Sequence, residues 1–322
     1  MIKIGIVGPS RRRNGTGPFI ARFFHGQGAE VAAVCGSSQV SSARAAAELT
    51  AAFGVPVAAF ATPERMIERC ALDAVAVCSP AELHAAHVEI ALSAGLHTFC
   101  EKPLIWNSEG PELPLPLTER AGHLTRAFLD RGLVLHQNAQ WAYVIDDLRA
   151  LLGERFFDSL QSFEMFMAPP APGLSMFWEA LPHPVSMIAA LGVAGVPRSI
   201  HADFTEDLSG LDIAFEAPRA AQEPLRIRIR LRARAEQPRP CYIILNGIRV
   251  DREVVSMSPY QVALRRDGHL HPIVDPVLRS VKHFLARIHS RILEDHSGIV
   301  SQFRLLEALW PEVSRAAYPR PQ

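Results

Sequence analysis

The apolar run Ile2–Val7 ends in a loop that holds Gly8, Pro9, Ser10, Gly15, Thr16 and Gly17, and a helical stretch opens at Pro18. Glycines between a first strand and the helix behind it let the backbone approach a pyrophosphate. Its charge then meets the free N–H groups and positive dipole of the helix N-terminus. The spacing departs from the strict G-x-G-x-x-G fingerprint: Gly8 and Gly17 lie nine positions apart, four more than the outer glycines of the fingerprint. Arg11, Arg12 and Arg13 fall in this insertion and read either as a solvated run or as a phosphate clamp. The next strand ends in Cys35-Gly36-Ser37-Ser38. A carboxylate there would bond the ribose 2′-hydroxyl of NAD and repel the 2′-phosphate of NADP. With Gly36, Ser37 and Ser38 and no acid, and with Arg11–Arg13 or Arg44 to meet a phosphate, NADP is favoured over NAD. A further strand end reads Glu101-Lys102-Pro103, and only Lys3, Lys102 and Lys282 among the 33 basic residues are lysine. Lysine gives up a proton once partly buried, whereas arginine keeps it.

These residues need strand ends to hold them. Glu30–Cys35 is an apolar strand, and Ser41 or Ser42 caps an alanine-rich helix that stops at Gly54. Val57–Phe60 precedes Thr62-Pro63-Glu64, a cap with a first-turn proline, and Ala74–Cys78 is the next strand. A helix from Glu82 ends at Gly95, His97–Cys100 is again a strand, and a helix to Arg131 leads into Leu133–His136. Short apolar strands alternating with helices predict a doubly wound parallel sheet, a Rossmann domain over residues 1–138. Beyond Asn138 the strands lengthen and helices thin out. We expect a second, α+β domain over residues 139–322 with a large, open, mostly antiparallel or mixed sheet, closed by helices from Asp275 onward. In Leu225–Arg234 arginine alternates with apolar residues. One face is core and the arginine face is solvated, or else meets a partner subunit or an anionic ligand. Asn246-Gly247 between Cys241–Leu245 and Ile248–Val250 predicts a type I′ hairpin.

At 322 residues and 48% hydrophobic the chain can bury the cores of two domains. Lys+Arg and Asp+Glu both total 33, so no basic field draws nucleic acid or an anionic membrane, and the expected partner is a small-molecule substrate. The first strand begins at Ile2 without a leader, and no apolar run approaches the roughly 18 residues of a membrane helix, so a cytoplasmic location is expected. Five cysteines without a C-x-x-C pair fit reduced, buried thiols. His84 and His87 share a helix face and His269 and His271 alternate, but no acid or cysteine completes a metal set, and none is expected.

Val77-Cys78-Ser79-Pro80-Ala81-Glu82-Leu83-His84 and Gly95-Leu96-His97-Thr98-Phe99-Cys100-Glu101-Lys102-Pro103 resemble the Gfo/Idh/MocA family of glucose-fructose oxidoreductases and inositol dehydrogenases. There a T-P-x-x-x-H-like and a G-x-H-V-x-x-E-K-P strand end flank the cofactor, and the whole chain keeps the family's order of elements. The resemblance implies that Ser79, Pro80, His84 and Glu101 border the dinucleotide and that Lys102 lies beside the nicotinamide and the substrate oxygen. The family's second element, an acid four residues before a histidine, falls on Glu179 and His183, which share a face if the helix is regular. Imidazole relays protons near neutral pH, and a carboxylate fixes its tautomer. Here the acid is Glu rather than Asp, and Pro182 and Pro184, which flank the histidine, must lie at a helix start or interrupt the helix. The family's N-x-R segment falls on Asn138-Ala139-Gln140, with Gln140 in place of arginine. Asn138, Gln140 and Tyr143 are then the groups for substrate hydroxyls rather than for a carboxylate or phosphate.

The reading that follows is an NAD(P)-dependent oxidoreductase acting on a secondary alcohol or carbonyl of a sugar, cyclitol or similar metabolite, as a homodimer or homotetramer. A non-catalytic dinucleotide-binding regulator or scaffold is the alternative, and an enzyme that oxidises its substrate transiently, as an NAD-dependent glycosidase or epimerase does, is a third. Replacing Lys102 by Met separates the first two.

Overall fold

The computed structural model describes residues 1–10, 16–105, 116–193, 195–219, 222–257, 260–293 and 297–318. Gly15 and Arg11–Arg13 of the first loop lie outside the described residues. The chain divides into two compact units: Met1–Glu109 with Glu119–Asn138 and Val277–His296, and Gly110–Thr118 with Ala139–Pro276 and Ser297–Gln322.

In the first unit, apolar runs too short for helices form strands β1 (Lys3–Val7), β2 (Glu30–Cys35), β3 (Ala58–Phe60), β4 (Ala74–Val77), β5 (His97–Glu101) and β6 (Leu135–Asn138). Every residue of β4 is buried, as a strand covered on both faces requires. Between the strands run α1 (Gly17–Gly26), α2 (Gln39–Phe53), α3 (Pro63–Arg69), α4 (His84–Ser93) and α5 (Leu117–Asp130). Gly54 ends α2 in the left-handed region and Thr62 caps α3 ahead of Pro63, both as expected, but the N-cap of α2 is Ser38 rather than Ser41 or Ser42: the helix starts earlier, at Gln39, and Ser41 at its third position completes a capping box with Ser38. The sheet is parallel throughout, in the order β3-β2-β1-β4-β5-β6. The order therefore reverses direction between β1 and β4.

One helix differs from expectation. The sequence places helices from Asp275 onward in the second domain, yet residues 277–296, most of them in the helix Pro276–Ser290, belong to the first unit. Phe24, Phe99 and Phe284 pack edge to face in all three pairs, with centroids 5.4, 5.9 and 5.7 Å apart. Val281, Phe284 and Leu285 of this helix join Ile4, Ile6 and Phe24 in one core. Each such ring contributes about 2–3 kcal/mol by burial and about 1 kcal/mol more from edge-to-face geometry.

The second unit holds a mixed sheet of eight strands: β7 (Ser162–Met167), β8 (Arg198–Phe204), β9 (Gly210–Arg219), β10 (Gln222–Arg232), β11 (Cys241–Leu245), β12 (Ile248–Met257), β13 (Tyr260–Arg266) and β14 (His269–Ile273). Their order is β14-β13-β12-β11-β7-β10-β9-β8, antiparallel except where β7 meets β10. In β10 the predicted alternation holds: Leu225, Ile227, Ile229 and Leu231 are buried, while Arg226 and Arg228 are exposed. Arg230 pairs with Glu164 of β7 at 3.5 Å, and Arg232 forks onto both oxygens of Asp212 at 2.8 Å. The β11–β12 turn has positive φ at both Asn246 and Gly247, as the type I′ reading required. Among the described residues no helix is long and apolar enough to cross a membrane.

Candidate active site

The carboxyl ends of β1, β4 and β5 bring the first set of residues together. Gly8 leaves β1 with φ +83° and donates its N–H to Cys35 O at 2.8 Å, while Cys78 N–H donates to Val7 O at 2.7 Å. A Cβ on Gly8 would stand 2.4 Å from Cys78 O, and one on Gly17 would stand 2.2 Å from Gly8 O. The start of α1 is thus seated directly on the end of β1, and no larger residue fits either position. No side-chain hydrogen bond caps α1; Pro18 has no N–H and the Phe19 N–H donates to Thr16 O at 3.0 Å, so what the first turn offers an anion is the positive end of the helix dipole. Its N-cap, Thr16, spends its hydroxyl elsewhere, donating to Glu101 Oε1 at 2.9 Å. Pro9 is buried and Ser10 half-buried beside them.

At the end of β2, Ser38 Oγ accepts from Ser41 N–H in the capping box, and Ser42 Oγ accepts the Gly36 N–H at 2.7 Å. A side chain at Gly36 would meet Ser41 Oγ at 2.7 Å. Ser37 is exposed, and Arg44 is paired with Glu48 at 3.1 Å. Of the two serines read as phosphate contacts, Ser38 is engaged in its own helix cap.

Glu101 and Asn138 are neighbours in the β5–β6 ladder, and Asn138 Nδ2 donates to Glu101 Oε1 at 2.7 Å. One carboxylate oxygen therefore ties the N-terminus of α1 to the end of β6. Asn138 is 1% exposed, and its Oδ1 is a buried acceptor without a protein donor. Lys102, half-buried, follows Glu101 directly. Pro103 O lies 2.7 Å from His84 Nδ1, and Ser79 O lies 2.8 Å from His84 Nε2. His87 Nδ1 meets Ser79 Oγ at 2.9 Å. The pair of histidines that the sequence aligned on one helix face thus converges on Ser79. Both ring nitrogens of His84 are engaged by backbone carbonyls and neither is left for a direct ligand bond, unlike the contact its motif implies. Pro80 is exposed at the start of the short turn Ala81–Leu83 that precedes α4. Burial pushes the Cys78 and Cys100 thiols well above the usual range, and the Glu101 charge adds to this, so both stay protonated.

The second set lies in the other unit. Glu179 and His183 do not share one helix: Glu179 ends the helix Ser175–Glu179 and His183 sits in the first turn of Pro182–Ala190. Pro182 starts the second helix because it has no N–H to continue the first, so of the two arrangements the sequence allowed, the helix start at the proline is the one found and the single regular face is not. Glu179 is exposed and His183 half-buried. Gln140 and Tyr143 bound a short 3₁₀ turn that packs on the second of these helices, with the Trp141 ring 6.2 Å from that of His183.

A parallel sheet in this strand order, with a glycine-seated first turn at the reversal of direction, defines a Rossmann dinucleotide-binding domain; an eight-stranded mixed sheet follows it in the chain. Residues 2–122 match the Gfo/Idh/MocA family model, described as oxidoreductase family, NAD-binding Rossmann fold, so the N-terminal domain belongs to the family its motifs resemble. No curated protein sequence matches the chain. Among solved structures, it is similar to UDP-N-acetylglucosamine 3-dehydrogenase from Acidithiobacillus ferrooxidans (17% identity, TM-score 0.70, covering 98% of this chain and 99% of that one). It is also similar to a mutant 3-ketoreductase from Actinomadura kijaniata in complex with TDP-benzene and NADP (19%, 0.69, 98% and 96%). A third is GenD2 from gentamicin A biosynthesis in complex with NAD (14%, 0.72, 97% and 94%). At these identities the likeness is one of fold.

Proposed function

We propose that the chain is a cytoplasmic NAD(P)-dependent oxidoreductase moving a hydride between nicotinamide and a secondary alcohol or carbonyl of a sugar, cyclitol or similar small polar metabolite. The observation that carries this reading is Lys102 at a strand end of a Rossmann sheet, with both its neighbours in the chain hydrogen-bonded to the surrounding loops.

The residues present fit a dinucleotide. Gly8 and Gly17 seat the start of α1 tightly against the ends of β1 and β4, where a Cβ would clash with Cys78 O or Gly8 O, the N-terminus of α1 has no side-chain cap, and Asn138 Oδ1 is a buried acceptor in want of a donor. Gly8, Pro9, Ser10, Thr16 and Gly17 would hold the pyrophosphate, and Gly36 and Ser37 the ribose end, where the lack of an acid favours NADP over NAD. The bound nicotinamide supplies the hydride acceptor or donor. Lys102 holds or takes the hydroxyl proton of the substrate at its Nζ, a proton that must leave when the carbinol carbon loses hydride. His183 relays a proton and Glu179 raises its basicity, while Gln140 and Tyr143 bind hydroxyls. The protein works as a homodimer or homotetramer, a mass that light scattering would read.

Titration with NADPH and with NADH, followed by nicotinamide fluorescence, tests the site. Binding of NADPH about tenfold tighter than NADH is expected, equivalent to about 1.4 kcal/mol for the 2′-phosphate. With polyols and sugars as substrates, Lys102→Met should lower kcat by about 10²-fold or more with binding retained. Binding without turnover of any such substrate would instead favour a regulator that keeps the fold.

A further inference from the structure

We infer that His84 is a positioning residue for Lys102, acting as a doubly protonated ring that fastens the loop after β5 to the loop after β4. The inference rests on the function proposed for Lys102.

His84 is 1% exposed at the first turn of α4. Its Nδ1 faces Pro103 O at 2.7 Å and its Nε2 faces Ser79 O at 2.8 Å. Both partners are backbone carbonyls, which only accept. A neutral imidazole has one N–H and one lone pair, so in either tautomer one nitrogen would point its lone pair at a carbonyl oxygen well inside the contact distance of two acceptors. Only the imidazolium donates to both. A buried cation is costly unless its donors are satisfied, and here both are, by charge-assisted bonds of the expected short length. The neighbouring His87 fits the same arrangement: burial, and then His84, push its pKa down, so it stays neutral and can share a proton with Ser79 Oγ at 2.9 Å.

Lys102 stands between two anchors. On its N-terminal side Glu101 is bound by Thr16 and Asn138, and on its C-terminal side Pro103 is held by His84. The first anchor joins β5 to α1 and β6, and the second joins it to the end of β4. Loss of the second removes the anchor on the C-terminal side of Lys102. His84 touches neither the reacting groups nor a ligand in this scheme, and its effect passes through the Pro103 carbonyl.

Two measurements need no turnover. In the protein labelled with ¹⁵N in its histidine rings, His84, assigned by through-bond correlation to its backbone, should carry protons on both nitrogens near neutral pH. A neutral-tautomer pattern would overturn the inference. With only Lys3, Lys102 and Lys282 present, a ¹³C-lysine spectrum holds three side-chain signals. His84→Gln should displace that of Lys102 and spare that of Lys3, and an unmoved Lys102 signal also overturns it. In kinetics, His84→Gln should lower kcat about tenfold or more while the Kd for NADPH changes less than about threefold. Weaker NADPH binding with kcat intact would make His84 a ligand contact instead. Failure to find any substrate for the wild type would count against the oxidoreductase reading alone, because the two spectra still decide the role of His84.

Discussion

At Gly17 a hydrogen is all that separates α1 from the carbonyl of Gly8, since a methyl group would lie 2.2 Å from that oxygen. Gly17→Ala is expected to push α1 off β1, destabilising the first unit by about 2–3 kcal/mol and weakening NADPH binding by about tenfold or more. Thermal melting and fluorescence titration would check both; unchanged binding would show that the pyrophosphate sits elsewhere. The glycines were legible as residues because no other type allows such an approach. The partner of Glu101 was not. Asn138 is 37 positions away in the chain, and only the β5–β6 register brings the two side chains together. His84 and His87 were legible as a pair on one helix face, but their common target is Ser79, whose carbonyl and hydroxyl are aimed by the turn after β4. Spacing along a helix tells which side chains are neighbours and says nothing of the loop that faces them.

Strand and helix types were largely readable, because the apolar runs are short and their punctuation uses residues with specific backbone roles: Thr62-Pro63, Gly54 and Asn246-Gly247 each sit where they were expected. At Glu179 and His183 the spacing of four allows one regular turn of helix, whereas the prolines beside the histidine mark a helix start or a break. Pro182 makes the stretch the junction of two helices. Another element-level feature couples the first sheet to pH. His97 on β5 accepts the N–H of Val134 on Nδ1 at 2.9 Å, which requires that nitrogen to be unprotonated, and burial lowers its pKa against a weaker opposing pull from Asp73. His87 is lowered likewise, burial again being the main cause. A base whose folded pKa lies below its unfolded value stabilises the fold above the ordinary value of 6.5 and loses that contribution as pH falls through the lowered one. Melting temperature should therefore decline from about pH 7 to about pH 5, and His97→Asn, which keeps an acceptor but cannot ionise, should flatten part of that decline. An identical slope in the variant would remove His97 as a cause.

For the whole molecule, the doubly wound sheet followed from the alternation of strands and helices, and the mixed sheet from the long period-two runs. The membership of residues 277–296 did not, because an amphipathic helix presents the same stripe of Val281, Phe284 and Leu285 whichever sheet it covers. A fragment ending at Asn138 lacks Phe284, the third member of the ring cluster with Phe24 and Phe99. That fragment should show no cooperative thermal transition, and a fusion that restores residues 277–296 should recover one. A cooperative transition in the bare fragment would show the helix to be dispensable. The same division of the chain bears on its synthesis. The ribosome makes β1–β6 first, then every strand of the second sheet, and only afterwards the helix that completes the first core. At bacterial or eukaryotic elongation rates of about 5–20 residues per second, the interval from Asn138 to Val277 lasts on the order of ten seconds. Through that interval the N-terminal sheet has an uncovered apolar face. The part of the protein translated earliest is thus among the last to mature, and holdase chaperones or a slowed stretch of message before codon 277 would act on it during that wait.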